Sequence, residues 1–228
     1  WVPHRSFTVY VGTDGIENAF GVPIYGSRRM LGTEDRNATR NQYYFLEKAG
    51  IRFPKHFGTP EDIDRLAIVK VQRADKPLER AFFFARTPEE YYTKAEEYKK
   101  RDLVSDETLD KARIEEYVLG SRVNANFHAY GVREFGELDL VGFSDRRQVN
   151  LQGFLQLPAT EQLKLATPVT NEEVGHYGIT VRESLHPLMW NAGERFVRTV
   201  RKEEPPGMRG LFGLQGAIAY SPIDGKTL

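Results

Sequence analysis

The sequence predicts an α+β protein in which a compact strand–helix unit is followed by a longer-stranded sheet carrying one packed helix. Three observations predict this. Two Thr-Pro helix starts alternate with short apolar runs between Arg52 and Val118. The strands lengthen from Ser121 onward. After Ser184, apolar residues recur at i, i+3 and i+4 over a long stretch, the pattern of a half-buried helix.

Taken in order, Trp1-Val2-Pro3 reads as the exit of a strand, and His4-Arg5-Ser6 feeds a short helix from Phe7 to Val11. Ser6 is either a plain helix cap or part of an anion site, since a helix N-terminus favours phosphate or carboxylate. Thr33 to Gly50 reads as a helix with Gly50 as its C′ residue. Thr59-Pro60-Glu61-Asp62 and Thr87-Pro88-Glu89-Glu90 share a threonine cap, proline at N1 and first-turn acids; only the second adds a capping-box glutamate. On the helix it opens, Tyr91, Tyr92, Ala95 and Tyr98 form the expected inner stripe, with Lys94, Lys99 and Lys100 outside. Strands are expected at Leu66–Lys70, Ala81–Ala85 and Arg113–Leu119, giving a β-α-β-β-α-β unit.

Beyond it, strands are expected over Arg122–Tyr130, Leu138–Phe143, Phe154–Leu157 and Phe212–Tyr220, with a short helix from Pro158. Leu185, Leu188, Met189, Ala192, Phe196, Val197 and Val200 mark the buried face of the long helix, which Pro205-Pro206-Gly207 ends. Asp145-Arg146-Arg147 reads as a solvated turn. The C-terminal Ile223-Asp224-Gly225-Lys226-Thr227-Leu228 reads as a hairpin turn entering a further strand, so the sequence is expected to be a fragment cut at both ends.

At 228 residues with 40% hydrophobic and 12% aromatic content, the chain can bury a real core. Acids and bases balance at 32 each, so no global field selects nucleic acid or an anionic membrane surface. The absence of cysteine excludes disulfides and thiolate catalysis and fits a cytoplasmic setting. No apolar run is long enough for a membrane span. Asn37-Ala38-Thr39 matches a glycosylation sequon only formally. The five histidines show no tight metal spacing, and no Walker loop, G-x-G-x-x-G or G-x-S-x-G occurs.

Two pieces carry chemistry. Leu66-Ala67-Ile68-Val69-Lys70 is a strand ending on a lysine, which can neutralise nucleotide phosphates as a point charge. Ile114-Glu115-Glu116-Tyr117-Val118-Leu119 carries two adjacent carboxylates, of which only one can face a given cleft. That carboxylate could accept from a ribose while the strand's backbone reads an adenine edge. An ordinary hairpin with a surface lysine is the alternative. His176, in a loop between Gly175 and Gly178, is either structural or close to a ligand. Gln215, mid-strand among small apolar residues, is a buried amide that needs a partner: a neighbouring strand, or a metal or ligand oxygen.

Lys70, Ile114-Glu115-Glu116-Tyr117-Val118-Leu119-Gly120, Leu157-Pro158-Ala159, Val181-Arg182-Glu183-Ser184-Leu185, Pro205-Pro206-Gly207-Met208 and Leu214-Gln215 stand in the order in which one family carries them. So do Val2-Pro3-His4-Arg5-Ser6-Phe7, Glu17-Asn18-Ala19-Phe20 and Val22-Pro23-Ile24-Tyr25-Gly26. Over essentially its whole length the sequence resembles the archaeal formate-dependent FAICAR synthetases, ATP-grasp ligases of purine biosynthesis. The resemblance implies ATP and Mg2+ as cofactors, formate and the ribonucleotide AICAR as substrates, formyl phosphate as intermediate, and homo-oligomeric assembly. It implies that Lys70 holds ATP phosphates and that Glu115, Glu116, Tyr117 and Val118 form the adenine and ribose hinge. Ser6 and His176 align with AICAR-contacting positions, Gln148 with a nucleotide-site position and Gln215 with a magnesium ligand. The implied domains are the end of an N-terminal substrate domain (1–32), a connecting helix (33–51), an ATP-grasp lid (52–119) and a truncated C-terminal ATP-grasp subdomain (120–228).

Three departures bear on this. The family pattern has a glycine-rich basic loop after the strand lysine, whereas residues 71–80 contain no glycine. A second metal-ligand carboxylate is expected beyond Leu228, and more of the substrate domain before Trp1. The chain by itself is therefore expected not to turn over, and the alternative is a paralogue that binds a nucleotide or joins a different carboxylate and amine.

Overall fold

The computed structural model describes residues 30, 33, 38–71, 82–118, 120–130, 137–148, 161, 164, 173–205 and 207–219. The chain divides into two compact units, one of Trp1–Phe53, Val123–Phe143 and Thr180–Gly216, the other of Pro54–Arg122, Ser144–Ile179 and Ala217–Leu228. The strands expected around Phe154 and the helix expected from Pro158 lie largely outside the described residues.

In the first unit, α1 spans Gln42–Lys48. It begins well after Thr33 because Asn41, in an extended conformation, caps it: its Oδ1 accepts the backbone N–H of Tyr43 at 3.0 Å and of Tyr44 at 3.2 Å. Its end follows the expectation. Gly50 takes a φ of 62°, its N–H bonds the Glu47 carbonyl, and the Ile51 N–H reaches back to Leu46, a Schellman closure.

The second unit holds the first sheet. Its strands are β1 (His56–Phe57), β2 (Ala67–Lys70), β3 (Phe82–Ala85) and β4 (Arg113–Glu116), ordered β1-β4-β2-β3 with every pairing antiparallel. The Thr59 start yields only a 3-10 turn, Pro60–Asp62, in which Asp62 closes back on the Thr59 N–H at 2.8 Å. The Thr87 start opens α2 (Pro88–Lys100). There Thr87 accepts from the Glu90 N–H, but the Glu90 carboxylate reaches the N–H of Arg86 rather than that of Thr87. A further short helix, α3 (Asp106–Asp110), is capped by Ser105.

One face of this sheet packs on α2. Phe57, Ala67, Val69, Phe83, Ala85 and Ile114 alternate inward and meet Tyr91 and Ala95. Tyr92 is not part of that stripe; it is half exposed, and its hydroxyl bonds Glu61. The opposite face carries Ile68, Lys70, Arg113 and Glu115.

The second sheet is ordered β7-β6-β5-β8, with β5 Ser121–Ala129, β6 Leu138–Gln148, β7 Glu173–Ile179 and β8 Gly210–Ile218. β6 runs through Asp145-Arg146-Arg147, so the expected turn is strand, and β7 pairs alongside it. The long helix α4 spans His186–Glu203 after a 3-10 turn at Glu183–Leu185. Its buried stripe is confined to Gly193, Phe196, Val197 and Val200, while Leu188 is exposed. These residues join Phe45, Phe127, Leu138, Met208 and Phe212 in the core of the first unit, where Phe127 stacks on Phe212 at 5.2 Å.

Candidate functional site

Lys70 ends β2, and β4 runs antiparallel beside it. The register sets Lys70 opposite Arg113 and Ile68 opposite Glu115, so Lys70, Arg113 and Glu115 share one face. The Lys70 ammonium donates to Glu115 Oε1, and Arg113 Nε donates to Glu115 Oε2 at 2.9 Å. Glu115 is buried, and a buried carboxylate persists as an ion only when paired. Here each oxygen has its own cation.

Glu116 points the other way, as strand alternation requires. Its carboxylate accepts the backbone N–H of Lys55 at 3.3 Å and lies 3.6 Å from Arg65. Its own N–H bonds the Lys55 carbonyl. Of the two adjacent acids, the one that faces the lysine is therefore Glu115, and both its oxygens are engaged by cations. Tyr117 and Val118 follow the strand. The Tyr117 N–H bonds the Leu66 carbonyl at 2.8 Å, and its ring meets Phe84 edge-on at 4.8 Å. Arg122 lies over the ring at 5.3 Å and donates to its hydroxyl. Tyr117 is thus held between β3 and the start of β5. Phe84 also lines a shallow groove of about 500 Å³ with Leu66, Arg86, Glu90 and Lys94.

His56 lies opposite Glu115 on the far side of β4. Loss of water around its ring, chiefly, and repulsion from Arg113 hold it below the ordinary histidine value, against an opposing pull from Glu115.

Of the remaining expected site residues, His176, Gln148 and Gln215 stand apart from this cluster in the sequence and lie on other strands. His176 is exposed on β7, so it belongs to a strand and not to the loop expected from its glycine neighbours. Gln148 ends β6. Gln215 lies on β8, but its side chain is exposed, which removes the expectation of a buried amide. Ser6 and the glycine-free stretch from 72 to 80 lie outside the described residues. Arg113 and His56 had no place in the sequence expectation for the site. The signal for Arg113 was present: Arg-x-Glu at strand spacing puts both groups on one face.

Among the described residues no group of three His, Cys, Asp or Glu side chains could hold a metal ion. The exposed Gln215 carries one amide oxygen, a donor type that a hard cation accepts when it takes few protein ligands and completes its shell with phosphate and water. No helix among the described residues is long and apolar enough to cross a membrane.

Residues 90–222 match the family described as Domain of unknown function (DUF1297), and residues 1–57 match Protein of unknown function (DUF1246). The chain is 37% identical over 214 residues to the 5-formaminoimidazole-4-carboxamide-1-(beta)-D-ribofuranosyl 5'-monophosphate synthetase of Methanocaldococcus jannaschii. It is 38% identical over 216 residues to the protein of the same name from Methanopyrus kandleri. Each match takes in 94% of this chain and 58% of the relative, so the chain spans somewhat over half the length of these curated relatives. Among solved structures it resembles an IMP biosynthesis protein PurP from Thermococcus kodakaraensis, with a TM-score of 0.64 and 27% identity over 99% of this chain and 61% of that one. It also resembles a carboxyaminoimidazole ribonucleotide synthase from Aspergillus clavatus complexed with ATP, with a TM-score of 0.58, 14% identity, and coverage of 96% and 50%, a likeness of fold alone.

Proposed function

The chain belongs to the DUF1297 family and has the ATP-grasp fold; from that premise, and from its likeness to the synthetases above, we propose that the intact protein is an ATP-dependent ligase that formylates AICAR to FAICAR. ATP would phosphorylate formate to formyl phosphate, and the AICAR amine would attack it, releasing phosphate. The observation that carries this reading is the strand-end Lys70 held by the buried Glu115, whose other oxygen is taken by Arg113. Such a cation, held in place before a ligand arrives, stabilises phosphoryl oxygens without reorganising at the moment of reaction.

Within the proposal the roles divide as follows. Lys70 holds ATP phosphates. Tyr117 and Val118 offer backbone groups to an adenine edge, with the Tyr117 ring fixed by Phe84 and Arg122. Glu115 and Glu116 flank that hinge, Glu115 acting through Lys70. Gln148 belongs to the nucleotide site, Ser6 and His176 to the AICAR site. Gln215 is a ligand for Mg2+, which when bound with ATP would offset phosphate charge. The proposed domain reading is a substrate-domain end (1–32), a connecting helix (33–51), a lid (52–119) and a C-terminal ATP-grasp part (120–228). A cytoplasmic setting and homo-oligomeric assembly complete it.

A second reading is favoured by one feature, the absence of glycine from residues 71–80. Backbone N–H groups that close over phosphates gain from glycine's freedom, and Arg73, Lys76 and Arg80 replace it in charge but not in geometry. On that reading the protein binds a nucleotide or joins another carboxylate and amine. The deciding experiment measures ADP release by the intact protein with ATP, magnesium and AICAR, with and without formate. Release that requires both formate and AICAR supports the synthetase. ATP binding without formate dependence supports the second reading.

A further inference from the structure

Asn124, only 8% exposed, lies on the face of β5 that turns away from the core of the first unit. Ala125, Phe127 and Ala129 fill that core, while Asn124, Asn126 and His128 alternate to the other side. The backbone carbonyl of Asn124 accepts from Asn126 Nδ2 at 3.4 Å, but its side-chain amide has no hydrogen-bond partner among the described residues. A buried primary amide with nothing to pair costs free energy, and native chains keep few such groups. β8 lies beside β5 in the sheet. A Cβ at Gly213 would stand 3.4 Å from Asn126 Oδ1, and one at Gly120 would meet the Ile218 carbonyl, so the two strands run antiparallel. One alternation on from Asn126 and Gly213, on that same face, come Asn124 and Gln215.

We propose that Asn124 is a specificity-determining residue whose buried amide pairs with a primary carboxamide, that of the AICAR substrate. The inference rests on the reading of the intact protein as a ligase that formylates AICAR. An asparagine side chain offers two N–H donors and one accepting oxygen. A carboxylate or phosphate only accepts and would leave that oxygen unmet, while a metal cation would meet the oxygen and strand the N–H groups. A carboxamide donates and accepts through two atoms in one plane, so it satisfies both sides of Asn124 at once. The name of the relatives' product puts the carboxamide on ring position 4 and the formylated amine on position 5. A grip on the carboxamide therefore fixes where the amine beside it lies.

The test is calorimetric titration of the intact protein with three probes: AICAR, the same ribonucleotide with a carboxylate in place of the carboxamide, and magnesium-ATP. The unaltered protein is expected to prefer the carboxamide by about tenfold or more, the scale of one or two hydrogen bonds. Asn124→Leu, close in volume and without polar atoms, should weaken AICAR by about tenfold, remove most of that preference and leave magnesium-ATP unchanged. Without ligand the same variant should raise the urea midpoint, because it replaces an unpaired buried amide with an apolar group; a merely structural asparagine would lower it. Should Asn124→Leu not fold, Asn124→Ser, too short for the two-point pair, takes its place with the same expected loss. Unchanged AICAR affinity in the variant, or equal affinity of the unaltered protein for the two ribonucleotides, overturns the proposal. So does an equal loss of magnesium-ATP, which would put a hydroxyl of the ATP ribose on Asn124. Failure of the unaltered protein to bind AICAR at all overturns the functional reading as well, whereas AICAR binding that ignores Asn124 overturns this inference alone.

Discussion

Lys70 and Glu115 close a diagonal ion pair across the β2–β4 ladder, two residues out of register, with Glu115 facing Ile68 and Lys70 reaching over to it. The geometry makes the lysine a fixed charge and the glutamate its anchor. Lys70→Ala is therefore expected to do two things in the intact protein. ATP affinity should fall by roughly 1.5–3 kcal/mol, a loss of at least tenfold. Stability should fall too, because the buried Glu115 is left with Arg113 as its remaining cation in the cluster. Titration with ATP and a urea melt measure the two effects separately, and an unchanged ATP affinity would take Lys70 out of the site.

Gly193 lies in α4 where its missing side chain makes room for an aromatic ring. A Cβ at that position would stand 2.6 Å from Phe127 Cε1 and 2.9 Å from Leu138 Cδ1. Phe127 is fully buried and stacked on Phe212, so its ring has no open direction in which to yield. Helix propensity favours alanine over glycine by about 1 kcal/mol, whereas overpacking a filled core costs about 1–3 kcal/mol. Packing should win, and Gly193→Ala should lower the urea midpoint with little change in slope. A raised midpoint would mean that the core relaxes around the methyl group.

Most of the fold was legible because its signals are local. The Thr87-Pro88 start, the Gly50 closure and the helix after Ser184 each depend on a few adjacent residues, and each stands where expected, although only the C-terminal half of the expected α4 stripe is buried. Expectations failed where pairing or burial was decided at long range. Asp145-Arg146-Arg147 looks like a turn but continues β6. His176, flanked by glycines, is strand for the same reason. The site divides likewise. Lys70 and Glu115 were visible as residue types at strand positions. Arg113 became part of the site only through register, since nothing short of the β2–β4 pairing says that it opposes Lys70.

Asn41 accepts two backbone N–H bonds at the start of α1, those of Tyr43 and Tyr44. Substituting an N-cap asparagine by alanine typically costs about 1 kcal/mol, because helix-end donors lose their acceptor. Asn41→Ala should cost that much in a denaturant melt, while Asn41→Asp, which keeps an acceptor oxygen, should stay near the unaltered protein. Equal losses in both variants would show that the amide group serves something other than the cap.

His56 gives the pH dependence a definite sign. Loss of water around its ring, the larger cause, and the nearby Arg113 hold its pKa below the ordinary 6.5, with Glu115 pulling the other way. The unfolded chain therefore binds the His56 proton more readily than the folded one. The resulting stability is fully present above pH 6.5 and is lost as the pH falls from there through the folded value. Ring-proton NMR should place the His56 midpoint below 6.5. Removing the Arg113 charge with Arg113→Met should move it upward, while Glu115→Gln should move it further down. A midpoint at or above 6.5 in the unaltered protein would mean that Glu115 outweighs both other causes, and stability would then rise, not fall, on mild acidification.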